Sequence, residues 1–472
     1  MADTLALKLA LARAVGTISR RRGGGATSAP GKALMRLQPD AIGALGARLR
    51  RGSVLISATN GKTTTAAMAA AILQGSGISL VHNQAGANMA GGIATTLLAA
   101  TRAGGAIAGE LGLFEVDELW LPSLAAELHP RVILLANVFR DQLDRYGELE
   151  LIVERWEEAL RAGGAQLVLN ADDPSIADLG RDRADVLYFG VQDDSLALAG
   201  MAHAADAKHC RHCGAPYVFD AIYLGHLGHY HCPSCGRTRP QPTILASNVR
   251  LEGVRSARFT LRTPAGEADV ALALPGLYNV YNALAAAALA SALGIPLEQI
   301  AAGLHATRAA FGRAETVSVA VPPAAQDGGL ASGRRELRIL LVKNPAGANE
   351  VLRTLALEPG EHDLLGVLND HTADGHDVSW IWDADFELLA GRIRLATCSG
   401  TRAADLAARL KYAGVDPARI RLQEDLASAL RDAAGDRAGA GDAPLYALPT
   451  YTAMLALREL LVARGEASSA WS

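Results

Sequence analysis

The sequence has no surplus of positive charge: 45 Lys and Arg stand against 49 Asp and Glu, a net of −4 over 472 residues. Binding to a nucleic-acid backbone calls for a basic surplus, so that class of partner is excluded. Long apolar runs are also absent. Stretches such as Val132–Ala136 fall far short of the roughly 18–20 residues that cross a bilayer, which excludes a transmembrane helix. No secretory leader is expected, because Lys8 and Arg13 interrupt the apolar residues Leu5, Leu9 and Ile18. Those three lie near helical spacing, and Arg20–Arg22 followed by Gly23–Gly25 reads as a helix end running into a flexible segment. Two roles stay open for that helix: packing on its own domain, or contact with a membrane surface. The expected compartment is the cytoplasm, with a peripheral position at the inner face of the membrane as the variant. No internal repeat is visible. Cysteine is sparse, and four of the five residues form two CxxC pairs. Without an export signal that pattern favours a metal site over disulfides.

Half of the residues are hydrophobic, enough for about two or three domains with their own cores. Short apolar runs at Gly52–Ser57, Ala106–Gly109, Val132–Ala136 and Leu167–Leu169 read as buried strands, and Thr64–Leu73 as an Ala-rich helix. Strands alternating with helical patterns imply an α/β fold with a mostly parallel sheet. Alternating apolar residues at Val249–Ala273 and an Ala-rich helix at Val280–Leu293 follow. The Pro/Gly/Ala/Ser-rich stretch Val321–Gly333 reads as a linker. A second α/β unit opens at Leu337–Val342, and Gly435–Ala443 reads as a low-complexity surface loop. The expected organisation is an N-terminal helical and flexible segment (1–45), a central α/β domain (46–318) with an insertion at 206–240, a linker (319–335) and a smaller C-terminal α/β domain (336–472).

The run Ser57-Ala58-Thr59-Asn60-Gly61-Lys62-Thr63-Thr64-Thr65 joins a strand to a helix. A turn there aims backbone N–H groups at phosphate oxygens, and the helix N-terminus adds its positive dipole end. Gly61 permits the tight backbone, Lys62 supplies a point charge, and the Thr63 hydroxyl suits Mg²⁺. Downstream, Glu115, Asp117 and Glu118 bring three acids into four positions, the hard oxygen donors that Mg²⁺ prefers. Cys210-x-x-Cys213 and Cys232-x-x-Cys235, separated by 18 residues, match tetrahedral Zn²⁺, with Gly214 and Gly236 allowing the knuckle backbone. A closed four-sulfur site has no open position and implies a structural role; redox-active CxxC is the rival. Cys398 reads as a buried strand-end cysteine. The polar stretch Leu368–Asp383, with its Asp374-Gly375 turn, reads as strand, turn, strand.

The phosphate run resembles that of the Mur ligase family, GTNGKTT, with Ala58 where the family has its first glycine. That resemblance implies ATP contacts from Thr59, Asn60, Gly61, Lys62, Thr63 and Thr64, and Mg²⁺ on Thr63 and Glu115. The segment Asn137–Tyr146 resembles the family's N-x-x-x-D-H-L-D, with Gln142 in place of a metal-binding His. No lysine lies between Lys62 and Lys208, where amino-acid-adding members use a carbamylated one. Gly276–Asn282 resembles the helix start near the adenine, implying roles for Asn279 and Asn282. Phe311–Glu315 resembles the hinge G-R-x-E, implying a phosphate contact from Arg313. Only about 50 residues precede the loop, fewer than a typical domain, which fits a lipid-linked substrate or one without UDP.

Together with the knuckles, Leu368–Asp383, Val342–Gly347 and Leu448–Met454, these features resemble one branch, the MurT-type subunit of lipid II isoglutaminyl synthase. The branch implies a Mur-ligase-like P-loop ATPase domain with an inserted four-cysteine zinc ribbon, ATP and Mg²⁺ as cofactors, and a GatD-like glutamine amidotransferase as partner. It also implies amidation of the D-glutamate α-carboxylate of lipid II through an acyl phosphate. An Asp completing the partner's triad is expected among Asp370, Asp374 and Asp377, with Asp377 favoured. Two rival readings are an amino-acid-adding ligase of the folylpolyglutamate-synthase type and a non-catalytic zinc-ribbon adaptor.

Overall fold

The computed structural model describes residues 2–21, 27–83, 87–102, 105–141, 149–201, 205–307, 313–321, 333–436 and 443–467. Among these, backbone pairing builds a nine-stranded sheet, a six-stranded sheet and a separate hairpin. The larger sheet contains β1 (Ser53–Ser57), β2 (Leu80–His82), β3 (Leu111–Glu115), β4 (Val132–Leu135), β5 (Gln166–Asn170) and β6 (Val186–Val191). The hairpin β7 (Val218–Leu224) and β8 (Leu227–His231) interrupts it, and β9 (Ile244–Glu252), β10 (Ser256–Thr263) and β11 (Gly266–Leu272) complete it. The order is β11-β10-β9-β6-β5-β4-β1-β3-β2, parallel except for the β9-β10-β11 meander.

The strand sequences follow from burial. Every residue of β1, β3 and β4 is buried. Helices cover both faces of a parallel sheet, so its strands read as continuous apolar runs. Val54 and Ile56 enter the core on one face, and Leu55 enters the core on the other. The first of these cores receives the buried Ala-rich helix Leu277–Ala292, packed on helix Lys62–Gly75. Small side chains let these helices approach closely. A Cβ on Gly303, in helix Leu297–Ala306, would fall 2.5 Å from Ile72 Cα.

The second sheet contains β12 (Arg313–Ala320), β13 (Arg334–Leu340), β14 (His362–Val367), β15 (Ile393–Ser399), β16 (Ile420–Leu422) and β17 (Leu445–Pro449). Its order is β12-β13-β17-β14-β15-β16, and only the β12–β13 pair is antiparallel. The backbone of 313–318, read from sequence as the end of the central unit, therefore pairs within the second sheet. N-terminally, helices Ala2–Arg21, Ala29–Leu37 and Ala41–Gly46 precede β1. No helix among the described residues is long and apolar enough to cross a membrane.

Two local expectations are corrected. Ala106–Gly109 is not a strand: it holds a single bridge, Thr101 to Ile107, and pairing starts at Leu111, past Gly109. That segment offers Ile107 as its one large side chain, and it is only half-buried, whereas Leu111–Glu115 is continuously buried. Leu368–Asp383 is not strand, turn, strand. β14 ends at Val367, Gly375 turns the chain at φ +86°, and Ser379–Asp383 coils into a 3₁₀ turn. Ile381, buried to 1% exposure, anchors that turn.

Candidate functional site

The carboxyl ends of β1, β3 and β4 lie side by side, and crevices outside such strand ends are where α/β folds bind ligands. β1 delivers Ala58–Gly61. Gly61 adopts φ +85° and opens helix Lys62–Gly75, so free backbone N–H groups face the crevice. Ala58 is fully buried, its methyl part of the core that also holds Ala66 and Met68. The methyl that sequence reading set in the loop is thus taken up by the core.

Lys62 Nζ lies 2.9 Å from Glu118 Oε2 and also donates to the Ala58 carbonyl. Burial opposes the lysine charge, but Glu118, Glu115 and Asp117 outweigh it and hold the ammonium above the ordinary lysine range. The Thr63 hydroxyl donates to Glu115 Oε2 at 2.9 Å. Asn83 fixes the Glu115 backbone by accepting from its N–H (2.9 Å) and donating to its carbonyl (2.8 Å). Trp156 Nε1 holds the Glu118 carbonyl at 2.8 Å. A hydroxyl and clustered carboxylates beside a phosphate-type loop form a donor set that suits Mg²⁺.

Several residues that sequence reading left out of the site complete it. Asn60 N–H donates to Asn137 Oδ1 (2.9 Å), and Asn137 Nδ2 donates back to the Asn60 carbonyl (3.0 Å). The Asn60 side chain exchanges two hydrogen bonds with Asn344, at 3.2 and 3.0 Å. Lys343 pairs with Asp141. These last two contacts tie the loop region to the start of helix Pro345–Ala356. A cavity of about 350 Å³ lies between the two sheets' units, with Lys62, Thr63, Glu115, Tyr278, Leu227 and Glu350 among its lining. Burial pushes the Glu350 carboxyl up to about 7, and Arg353, 2.7 Å away, only partly offsets this. Motif reading had Asn137, Asp141 and Asn344 as motif positions and Lys343 beside one of them, without giving them a role, and nothing in their spacing shows that they meet.

Asn282, a candidate from the sequence, accepts from Thr65 Oγ1 at 3.3 Å and donates to Asn279 Oδ1 at 3.1 Å. Asn279 in turn donates to the Pro275 carbonyl at 2.7 Å. Thr59, Asn60, Gly61, Lys62, Thr63, Thr64, Asn279 and Asn282 all border the one cavity. Gln142 lies outside the described residues, as does the Arg313 side chain, although the Arg313 backbone belongs to β12.

The four knuckle cysteines come together, all sulfurs within 4.8 Å of one another. Cys210–Cys235 and Cys213–Cys232 are separated by 3.6 and 3.4 Å. Metal–sulfur bonds of about 2.3 Å in a tetrahedron place sulfurs about 3.8 Å apart, so this donor set fits one ion. Gly214 and Gly236, both at φ +75°, donate their N–H to the Cys210 and Cys232 carbonyls. At the other end of the insertion, the β7–β8 tip packs Gly225 and His226 on Phe139, and Leu224 and Leu227 reach the cavity. Cys398 is buried in β15, its thiol pushed up to about 12 by burial.

The three candidate aspartates have separate roles. Asp374 is buried and accepts from both the N–H (2.8 Å) and hydroxyl of Thr452, at the start of helix Tyr451–Ala463. Asp370 accepts from Thr401 Oγ1 (2.8 Å) and Arg402 (3.3 Å). The Thr401 and Arg402 bonds keep its carboxyl below the usual range. Asp377 is exposed and accepts from Ser379 N–H at 2.8 Å through Oδ1, which lowers it too.

Residues 56–225 match the Mur ligase middle domain, and 341–454 match the MurT ligase C-terminal region. A lipid II isoglutaminyl synthase (glutamine-hydrolyzing) subunit MurT from Staphylococcus aureus (strain N315) is 33% identical over 86% of this chain and 87% of its own length. The subunit of the same description from Streptococcus pneumoniae (strain ATCC BAA-255 / R6) is 33% identical over 94% of both chains. This chain belongs to the MurT family of Mur ligases. The fold agrees: a pseudomurein peptide ligase type C from Methanothermus fervidus superposes with a TM-score of 0.66 at 23% identity, covering 89% of this chain and 80% of that one. A MurT-family chain is a ligase of peptidoglycan synthesis, which sets aside the non-catalytic adaptor reading.

Proposed function

We propose that this MurT-family chain uses ATP to amidate the D-glutamate α-carboxylate of lipid II, with ammonia delivered by a glutaminase partner. The observation that carries the proposal is the match to lipid II isoglutaminyl synthase subunits across both sheets' units, not the ATPase segment alone. In the proposed division of labour the nine-stranded sheet's unit holds nucleotide, and the six-stranded sheet's unit, which includes β12, closes on it.

A free carboxylate repels nucleophiles, and its oxygen is a poor leaving group. In the first step a carboxylate oxygen attacks the γ-phosphorus of ATP, and ADP leaves. In the second, the ammonia nitrogen attacks the carbonyl carbon, inorganic phosphate leaves, and a nitrogen proton is lost, giving the amide. Lys62 and the N–H groups opening helix Lys62–Gly75 face the charge that develops during phosphoryl transfer. Asn279 and Asn282 are assigned to the nucleotide side of the cavity, and Arg313 to phosphate. Thr63 and Glu115 would hold Mg²⁺, which neutralises phosphate oxygens when bound. The four cysteines would hold Zn²⁺ in a closed, structural site.

The chain needs an outside nitrogen source. Among its cysteines, four are engaged in one cluster and Cys398 is buried with a raised thiol, so none is suited as a glutaminase nucleophile. We assign to Asp377 the carboxylate offered to a GatD-like partner, since it is exposed while Asp374 is locked on Thr452. The test combines the purified chain, its candidate glutaminase, lipid II, ATP and glutamine. Mass spectrometry should find the small mass loss of an acid-to-amide change. An unchanged lipid II mass with ATP consumed would overturn the proposal.

A further inference from the structure

Helix Ala2–Arg21 carries two apolar faces, and the fold uses one of them. Leu9 (3% exposed), Ala12 and Gly16 are buried against the body of the protein. Arg13 reinforces that seat by donating to the Leu98 and Thr101 carbonyls. On the opposite side Leu7, Leu11, Val15 and Ile18 are 61%, 50%, 39% and 52% exposed. Their spacing of four, four and three residues lines them up along one stripe. The sequence pattern Leu5, Leu9, Ile18 thus mixed two faces: Leu9 packs inward and Ile18 outward.

Four large aliphatics in a row at solvent mark a surface that something covers. The charges around the stripe say what. Lys8 flanks it, bonded to the Gln38 side chain at 2.7 Å. Arg20 and Arg21 close the helix, and Arg22 follows in sequence. Against these, Asp3 is the sole acid in the helix sequence. An apolar stripe on a helix whose sequence carries Lys8, Arg13, Arg20 and Arg21 against one acid suits a layer of anionic headgroups over acyl chains.

We infer that helix Ala2–Arg21 seats the protein on an anionic phospholipid surface, its Leu7–Leu11–Val15–Ile18 stripe entering the boundary between headgroups and acyl chains. The helix lies along the body by its Leu9–Ala12–Gly16 face, so it rests in the plane of the surface and does not cross it. A chain held this way works where lipid-anchored substrates are presented. The inference stands on the exposed stripe and not on the proposed amidation, and its test uses no substrate.

The test is flotation of the full chain, alone and with its candidate glutaminase, with vesicles of phosphatidylcholine or of phosphatidylcholine mixed with phosphatidylglycerol. Binding to the mixed vesicles is expected, weakened by high salt. Leu11→Glu with Val15→Glu should reduce the bound fraction at least about tenfold, with unchanged circular dichroism and ATP binding. Leu11→Ala with Val15→Ala, which adds no charge, should give an intermediate loss. Absence of binding by the unaltered chain would overturn the inference, as would equal binding by the Leu11→Glu, Val15→Glu variant. Loss of a protein complex in that variant with vesicle binding unchanged would overturn it in favour of a protein partner.

Discussion

A Cβ added to Gly61 would lie 2.0 Å from the Asn282 side-chain oxygen, the atom that also accepts from Thr65 Oγ1. The helix Leu277–Ala292 therefore presses an amide onto the first turn of the phosphate-type loop. Gly61→Ala meets two penalties: the contact, and φ +85°, which costs an L-residue about 1–2 kcal/mol. ATP affinity should fall by more than about tenfold. Adding Asn282→Ala relieves the contact but removes a residue assigned to the nucleotide, so the double variant should bind ATP no better than Asn282→Ala alone. Isothermal titration with ATP measures both. Full affinity in Gly61→Ala would show that the loop tolerates what its geometry forbids.

The knuckle cysteines and the cavity are two ends of one insertion, because Leu224 and Leu227 at the β7–β8 tip line the cavity. Cys213→Ser should lower the bound metal and loosen the hairpin. KM for ATP should rise by more than kcat falls, since the phosphate side of the site is untouched. Metal analysis and steady-state kinetics on the same preparation check this. Metal loss with an unaltered KM would leave the insertion without a part in nucleotide binding.

Glu350 adds a pH term. Its carboxyl is raised from the usual range to about 7 by burial. A raised carboxyl contributes stability in full below its unfolded value near 4.5, and that contribution is lost as pH rises through about 7. Ionising it in place opposes the fold by up to about 3 kcal/mol, the shift converted at about 1.36 kcal/mol per unit. Glu350→Gln should therefore gain on the unaltered chain in melting temperature between about pH 4.5 and about pH 7, with a constant margin above that. Parallel melting curves across that range would contradict the assignment.

Two neighbouring aspartates should separate in the complex. Asp374→Asn removes a charged acceptor from the Thr452 N–H and hydroxyl and should cost about 1–3 kcal/mol of stability. Asp377→Asn, at an exposed residue, should leave the melting temperature within about 1 °C. It should nevertheless depress glutamine-driven turnover while sparing ammonia-driven turnover. Equal loss with both nitrogen sources would remove Asp377 from the partner's chemistry.

Much of this was legible in the sequence for physical reasons. Buried parallel strands write themselves as short apolar runs, so β1, β4 and β5 were found within a residue or two. The Gly61-Lys62-Thr63 turn and the paired CxxC knuckles have spacings that only local geometry enforces. What stayed hidden is what only tertiary structure brings together. Glu118 reaches Lys62 across 56 residues, and Asn344 reaches Asn60 across 284. No periodicity encodes such pairs. Leu224 and Leu227 look like ordinary hairpin core, and only folding turns them toward the cavity. The strand expected at Ala106–Gly109 failed because three apolar residues beside glycine carry too little to bury. The true strand, Leu111–Glu115, ends in the acid that sequence reading took for a Mg²⁺ ligand.

The most direct measurement is ADP release by the pure complex with lipid II and ATP, with the nitrogen donor varied among glutamine, ammonium and free amino acids including glutamate. The account predicts release driven by glutamine and ammonium and none by amino acids, with an amide as the product. Release driven only by an amino acid would contradict it and make this chain a residue-adding ligase.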